Sequence, residues 1–374
     1  MSKPTNFLIF VAGWFVFGPL PVAGADWPSA RGNANATGAT AEALPADLQL
    51  LWKHSAGESG YEATAVISAG IVYVGDVDGT FSALRLADGS EVWNQKFEDA
   101  GFIAGAAIAD NRLFVGDFNG IIRALDASDG ALLWQAEAKG ESYAAPNALA
   151  ERVLVTSEAG ELLSLDPASG ELQWQFQIEA PLRCWPTVVE GRVLLAGCDE
   201  RLHAVDVLTG KEVAGVDIDG PTGATPAILA GNALFGTEQG SFYQVAVKSL
   251  EIGWRYFDPN NPDAIHTAAA VDPRAIVFGT QGKNFFALDP KNGKVLWIFA
   301  VRGRVESSPV IAGDSVFLAS KRGVIHRLDI ATGEELWKYE AGGDFQAAFA
   351  IADGRIVIGN TDGTLYCFGA KESD

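Results

Sequence analysis

Short apolar runs, each closed by a polar turn rich in Gly, Asp and Asn, set the rhythm of this chain. Residues Asn284 to Trp297 show the unit. Phe285, Phe286, Ala287 and Leu288 suit a buried strand. Asp289 to Gly293 reads as a turn, because Asp and Asn bond their own backbone and Gly takes positive φ without steric cost. Val295, Leu296 and Trp297 then begin a second strand. The same pattern recurs from Leu125-Asp126 through Gly130 to Trp134, from Leu165-Asp166 through Gly170 to Trp174, and from Leu328-Asp329 through Gly333 to Trp337.

The tryptophans keep count. Trp52, Trp93, Trp134, Trp174, Ala214 in place of a tryptophan, Trp254, Trp297 and Trp337 follow one another in steps of 41, 41, 40, 40, 40, 43 and 40 residues. Four strands in about 40 residues are the signature of a propeller blade. Innermost strands beginning near Ala63, Gly105, Ala144, Cys184, Ala224, Thr267, Ser307 and Ala347 give eight blades. Turns such as Asp76-Val-Asp-Gly79, Asp117-Phe-Asn-Gly120 and Asn360-Thr-Asp-Gly363 carry the Asp-Gly and Asn-Gly pairs of tight hairpins, without the spacing of an EF-hand loop. The last blade has only three strands before Phe368. Residues 48–54 are therefore expected to supply its fourth strand and close the ring, removing a free sheet edge. The expected fold is all-β, an eight-bladed propeller of four antiparallel strands per blade. The expected layout is a secretory signal at 1–25, an extended arm at 26–47 laid on the surface, the propeller at 48–369 and a tail at 370–374.

The repeat Asp-x-x-x-x-Gly-x-x-x-Trp, with its variants, resembles the tryptophan-docking repeat of the pyrroloquinoline-quinone-like propellers across nearly all of residues 45–368. In size, blade number and lack of insertions the chain is most similar to the BamB family, an accessory subunit of outer-membrane β-barrel assembly. That resemblance implies a non-catalytic scaffold whose partners are proteins of the assembly machinery. In that family a Leu-Arg pair entering the fourth blade and acidic residues entering the fifth grip the partner. Leu182 with Arg183, and Asp217 with Asp219, occupy similar places here, although the spacing differs and Leu-Arg runs into Cys184-Trp185-Pro186. Two alternatives stay open: a quinone- and calcium-dependent dehydrogenase, and a ligand-binding extracellular propeller. The dehydrogenase branch uses a disulfide of adjacent cysteines against the quinone, and this sequence has no adjacent pair.

Composition refines this picture. Lys3 is the only charge in the first 25 residues, Phe7 to Gly18 is apolar, and Ala23-Gly24-Ala25 reads as a cleavage site. The apolar run is shorter than the ~20 residues a membrane span needs. Export to the periplasm or cell envelope as a soluble monomer is expected, with no lipid anchor because no Cys lies near the cleavage point. Without Lys3 the chain carries 26 basic and 47 acidic residues. Such a surface repels nucleic acid and anionic membrane.

Candidate chemistry gathers where the repeat breaks. Arg183 and Trp185 stand where other blades have small residues, and an exposed aromatic beside Arg is the usual anchor of an interface. Leu182, Arg183, Trp185, Asp217 and Asp219 are the candidate partner contacts. Cys184 and Cys198 face one another if residues 190–192 form a three-residue loop, within the ~4.5–5.5 Å of directly paired Cα atoms that a disulfide tolerates. A two-residue loop offsets them and leaves free thiols. Of the four histidines only His266 lies near an innermost strand, where side chains of several blades converge. No catalytic, cofactor or metal residues are expected. The repeated Trp52, Trp93, Trp134, Trp174, Trp254, Trp297 and Trp337 are assigned to structure alone.

Overall fold

The computed structural model describes residues 26–260 and 262–371. The signal-peptide expectation therefore lies outside the described residues. Eight four-stranded antiparallel sheets follow one another in the chain, with innermost strands Val66–Ser68, Ala107–Ala109, Asn147–Leu149, Thr187–Val189, Ala227–Leu229, Ala270–Asp272, Val310–Ala312 and Ala350–Ala352. The innermost strands of neighbouring blades pack around a central channel. Blade 8 is completed by Gln49–Ser55, antiparallel to Thr364–Gly369 with Trp52 opposite Cys367. The expected closure is thus observed: the strand that precedes every blade is hydrogen-bonded to the strand that ends the last one.

Second and third strands are buried on both faces and read as continuous apolar runs, such as Arg152–Thr156 and Glu161–Leu165. Outermost strands alternate, and their Trp points inward at the next blade. Trp93 lies against Gly130, whose φ is +76° and whose added Cβ would stand 2.6 Å from the indole. The indole N–H donates to Ala127 O at 2.9 Å. Trp52, Trp134, Trp254 and Trp297 bond the next blade in the same way, to the carbonyls of Leu86, Pro167, Pro290 and Ile330. Asp126 holds the turn by accepting from the Ser128 hydroxyl and N–H, which keeps its carboxyl below the usual carboxylate range. Only Gly fits under a docked ring, so Trp and Gly are one device written in two blades.

The contact between the fourth and fifth blades shows what replaces the device when both its halves are lost. Leu250 stands where other blades have Gly, at φ +54°, and its N–H still closes the turn on Ala246 O at 2.8 Å. Its buried side chain packs with Ala214 and Val216 of blade 4. Leu250 thus fills the space that a tryptophan at 214 would occupy. The acceptor that such an indole would use, Val247 O, is taken by Arg192 Nη1 at 2.7 Å.

The arm departs from expectation. Residues 26–40 do not lie on the outer surface: Trp27, Ser29, Arg31 and Ala36 are all buried. An innermost strand has one edge turned to the channel, and its N–H groups need acceptors that water cannot supply in a closed ring. The arm supplies them. Carbonyls of Trp27, Pro28, Ala34, Asn35, Thr37 and Gly38 accept from Ile67, Ile108, Val188, Ile228, Val271 and Ile311, the same repeat position in blades 1, 2, 4, 5, 6 and 7. Ala39–Thr40 adds a short parallel strand to blade 7, and Leu44 and Leu48 enter the core beside blade 8. The arm makes nearly one revolution under the ring, closing the channel at the end where the first hairpin turns lie. Small residues, Ala34 to Gly38, let it thread between facing strands.

Candidate binding funnel

The opposite end of the channel is open. Each blade enters through an equivalent residue, and these eight form a ring at the mouth: Glu62, Ile103, Tyr143, Arg183, Gly223, His266, Glu306 and Gln346. Beside each stands the turn between the second and third strands, pinned by its own N–H to the incoming chain. Glu158 N–H donates to Glu141 O at 2.9 Å, Glu238 to Pro221 O at 3.0 Å and Lys321 to Arg304 O at 3.1 Å. The mouth is therefore rigid backbone carrying variable side chains, the arrangement in which recognition residues concentrate.

Tyr143, Arg183, Gly223, Glu238, His266 and Glu306 line a cavity of about 500 Å³ in this mouth. Arg183 forms a two-pronged pair with Glu158, Nε to Oε1 at 2.6 Å and Nη2 to Oε2 at 3.2 Å, which holds the guanidinium above its ordinary value. Glu306, with Oε2 3.8 Å from His266 Nδ1, raises the imidazole, and the same contact pulls the Glu306 carboxyl down. Lys321 Nζ lies 3.6 Å from the other Glu306 oxygen, and Gln281 Nε2 lies 3.2 Å from His266 Nδ1. Tyr143 is 47% exposed, and the neighbouring Glu141 carboxylate raises the phenol. The mouth is polar and largely paired with itself.

Of the expected contact residues, Arg183 stands at this mouth. Leu182 does not: it is 1% exposed and packs with Cys184, Val193 and Val205 in the core between blades. Trp185 was expected as an exposed anchor, but it is 3% exposed. Its indole donates to Pro146 O at 3.0 Å, and the ring lies against Ala36 of the arm. A bulky residue fits there because the flanking positions Ala144 and Ala145 are small. Asp217 pairs with Arg201 at 2.6 Å along blade 4. Asp219 pairs with Arg255 and accepts from Ser241 and Thr237 in blade 5. The charged candidates thus belong to three separate ion pairs.

The cysteines are free. Val189 pairs with Arg192 across a two-residue loop, Glu190-Gly191, with both φ values positive as a type I′ turn requires. That register puts Cys184 one residue out of line with Cys198, the two-residue alternative that leaves free thiols, and the disulfide alternative is not met. Burial pushes the Cys184 thiol up to about 12, and half-buried Cys198 is also raised by desolvation. No group of three His, Cys, Asp or Glu able to hold a metal occurs among the described residues, and no helix among them is long and apolar enough to cross a membrane.

Sequence alone missed the channel floor. A cavity of about 190 Å³ runs beneath the mouth, bounded below by Ala30 and Arg31 and walled by Thr64, Gly105, Ala145, Trp185, Thr225, Ala268, Ser308 and Ala348. These wall residues again occupy one repeat position, so aligning the blades would have revealed them. Arg31 had no such signal, because the arm belongs to no repeat.

Comparison with known proteins follows the fold. Residues 39–184 and 150–374 match the family model described as outer membrane protein assembly factor BamB. The outer membrane protein assembly factor BamB of Burkholderia pseudomallei is 30% identical over 67 residues, 18% of this chain and 18% of its own. Tetrathionate hydrolase of Acidithiobacillus ferrooxidans is 34% identical over 58 residues, 16% of this chain and 12% of its own. The aligned segments span less than a fifth of either relative. The crystal structure of BamB from Moraxella catarrhalis matches with a TM-score of 0.73 at 21% identity, covering 88% of this chain and 99% of that one. Quinohemoprotein alcohol dehydrogenase from Comamonas testosteroni reaches 0.78 at 17% identity, covering 94% and 82%. At these identities the structural likeness is one of fold.

Proposed function

The chain belongs to the family of outer membrane assembly factor BamB, and from that premise we propose that it is an exported, non-catalytic scaffold that binds protein partners in outer-membrane β-barrel assembly. The observation that carries this reading is the state of the funnel mouth. Arg183 is committed to Glu158, and Glu306 to His266 and Lys321, on a rigid ring of turns. Such a surface offers shape and rim charge to a macromolecule, which tunes encounter and specificity more than it supplies a reacting group. Arg183 and half-exposed Tyr143 are the contact residues favoured on the open face.

A photo-crosslinking amino acid at Tyr143 tests this in envelope preparations. Crosslinks to a component of the barrel-assembly machinery, weakened by Arg183→Glu, support the proposal. Crosslinks only to unrelated periplasmic proteins, unchanged by Arg183→Glu, overturn it.

The likeness to a quinohemoprotein dehydrogenase raises a bound quinone as a second reading. The residues fit it poorly. The thiols are free and not adjacent, and the mouth carboxylates Glu158 and Glu306 are paired with cations.

A further inference from the structure

The channel floor holds a charge with no counter-charge. Arg31 is 4% exposed, and its Nη2 donates to Ala269 O at 2.9 Å and Pro309 O at 3.1 Å. Its Nε and Nη1 are buried and have no hydrogen-bond partner among the described residues. No carboxylate pairs with it among the described residues, and burial alone pushes it down to about 10. An isolated ion is expensive to bury, and structures neutralise it by pairing. Arg31 helps to line the 190 Å³ cavity that opens to the mouth, the side from which a counter-charge outside the protein could approach it.

The wall above Arg31 points the same way. Thr225 Oγ1 accepts from Trp185 N–H, Ser308 Oγ from Ala268 N–H and Thr64 Oγ1 from Ala348 N–H, each at 3.0 Å. Each hydroxyl is thus held as an acceptor by the preceding blade, and its own proton goes to no protein acceptor among the described residues. A hydroxyl has one proton to give. Thr225 and Ser308 belong to blades 5 and 7, on either side of blade 6, whose Ala269 carbonyl anchors Arg31, while Thr64 of blade 1 stands across the ring. Glu62, in the mouth ring above, is the one carboxylate lining this cavity among the described residues, while Glu306 of the same ring and Glu238 line the mouth cavity.

We propose that the channel foot is a binding site for a small oxyanion of the phosphate or carboxylate class, seated over Arg31 and accepting hydrogen bonds from Thr225 and Ser308. The cavity has room for a few waters' volume, enough for such an ion and too little for a peptide. Entry is through the mouth. The ion ties the arm to blades 5 and 7 at once, so its occupancy sets how firmly the arm closes the ring. This site is independent of the scaffold role: it is reached from the funnel but built on the arm.

The test uses the purified chain dialysed into an anion-poor zwitterionic buffer at constant ionic strength. Phosphate, acetate and chloride are titrated separately, with heat of binding and melting temperature as readouts. Saturable one-to-one binding of phosphate or acetate, with a rising melting temperature, is expected. Arg31→Met should lose at least about tenfold in affinity, as removal of a charge-assisted partner requires, while melting no lower than anion-free wild type. Ser308→Ala, which keeps the arm and its Arg, should weaken binding about threefold, so the proposal stays testable if Arg31→Met fails to fold. Phosphate binding without acetate binding, or the reverse, identifies the source. Non-saturating effects identical in wild type and Ser308→Ala, or saturation by chloride alone, overturn the assignment.

Discussion

Leu250 and Ala214 give a quantitative test of the docking device. Restoring the usual pair means Ala214→Trp with Leu250→Gly. Leu250→Gly alone deletes a buried leucine, costing about 3 kcal/mol. It also releases about 1 kcal/mol of left-handed strain at φ +54°, for a net loss of about 2 kcal/mol. Ala214→Trp alone drives an indole into the space Leu250 fills, and overpacking of this kind costs about 2 kcal/mol. Together the changes recreate the contact seen at Trp174 over Gly210. The new indole N–H would find Val247 O already taken by Arg192, as Trp174 finds Val207 O taken by Arg152 at 2.8 Å. The double variant should therefore fall within about 1 kcal/mol of wild type rather than above it, a coupling of about 3 kcal/mol. Guanidinium unfolding followed by far-ultraviolet circular dichroism measures all four proteins, with equal m-values required. If the double loss equals the sum of the single losses within about 0.5 kcal/mol, the two positions are not one device.

Three further outcomes are expected. A thiol reagent should find at most one fast group in the native protein, half-buried Cys198, and three after unfolding; one group after unfolding without reductant would restore the disulfide. Because the folded His266 value is raised, its contribution is full below the ordinary histidine range and is lost as pH rises through the folded value. Glu306 is lowered, so its contribution is present above the ordinary carboxylate range and lost on acidification; His266→Gln should flatten the decline of melting temperature from pH 6 to pH 8 that wild type shows. Truncating residues 26–38 exposes the innermost strand edges, so melting temperature should fall and protease should cut near the first hairpin turns sooner. Unchanged proteolysis would mean the arm is not a seal.

The repeat was legible because its physics is local. Asp126 to Trp134 spells a turn and a strand in nine residues, and the ring's size follows from their spacing. Even the closure could be read, since a three-stranded last blade leaves an edge that something must cover. The arm was not legible in the same way. Its polarity and small size look like a surface segment, and only the ring shows that the polar partners are backbone groups of six blades. Trp185 misled for a related reason: a lone aromatic among alanines suggests an exposed anchor, yet the alanines of the neighbouring blade are what make room for it. The cysteine register turned on a single loop residue, which sequence left open and Glu190-Gly191 decides. Arg31 lies in no repeat and pairs with carbonyls more than 200 positions away, beyond any local pattern.

The drawstring course of residues 26–55 sets assembly against synthesis. This segment leaves the ribosome ahead of every blade, yet its docking partners are spread through the chain to Gly369. It must stay loose while all the later sheets form, and it tightens last. Contacts so distant in sequence make folding slow. The interval in which the head of the chain waits for its tail is when this protein is most open to chaperones, and to capture by another copy's unfinished eighth blade.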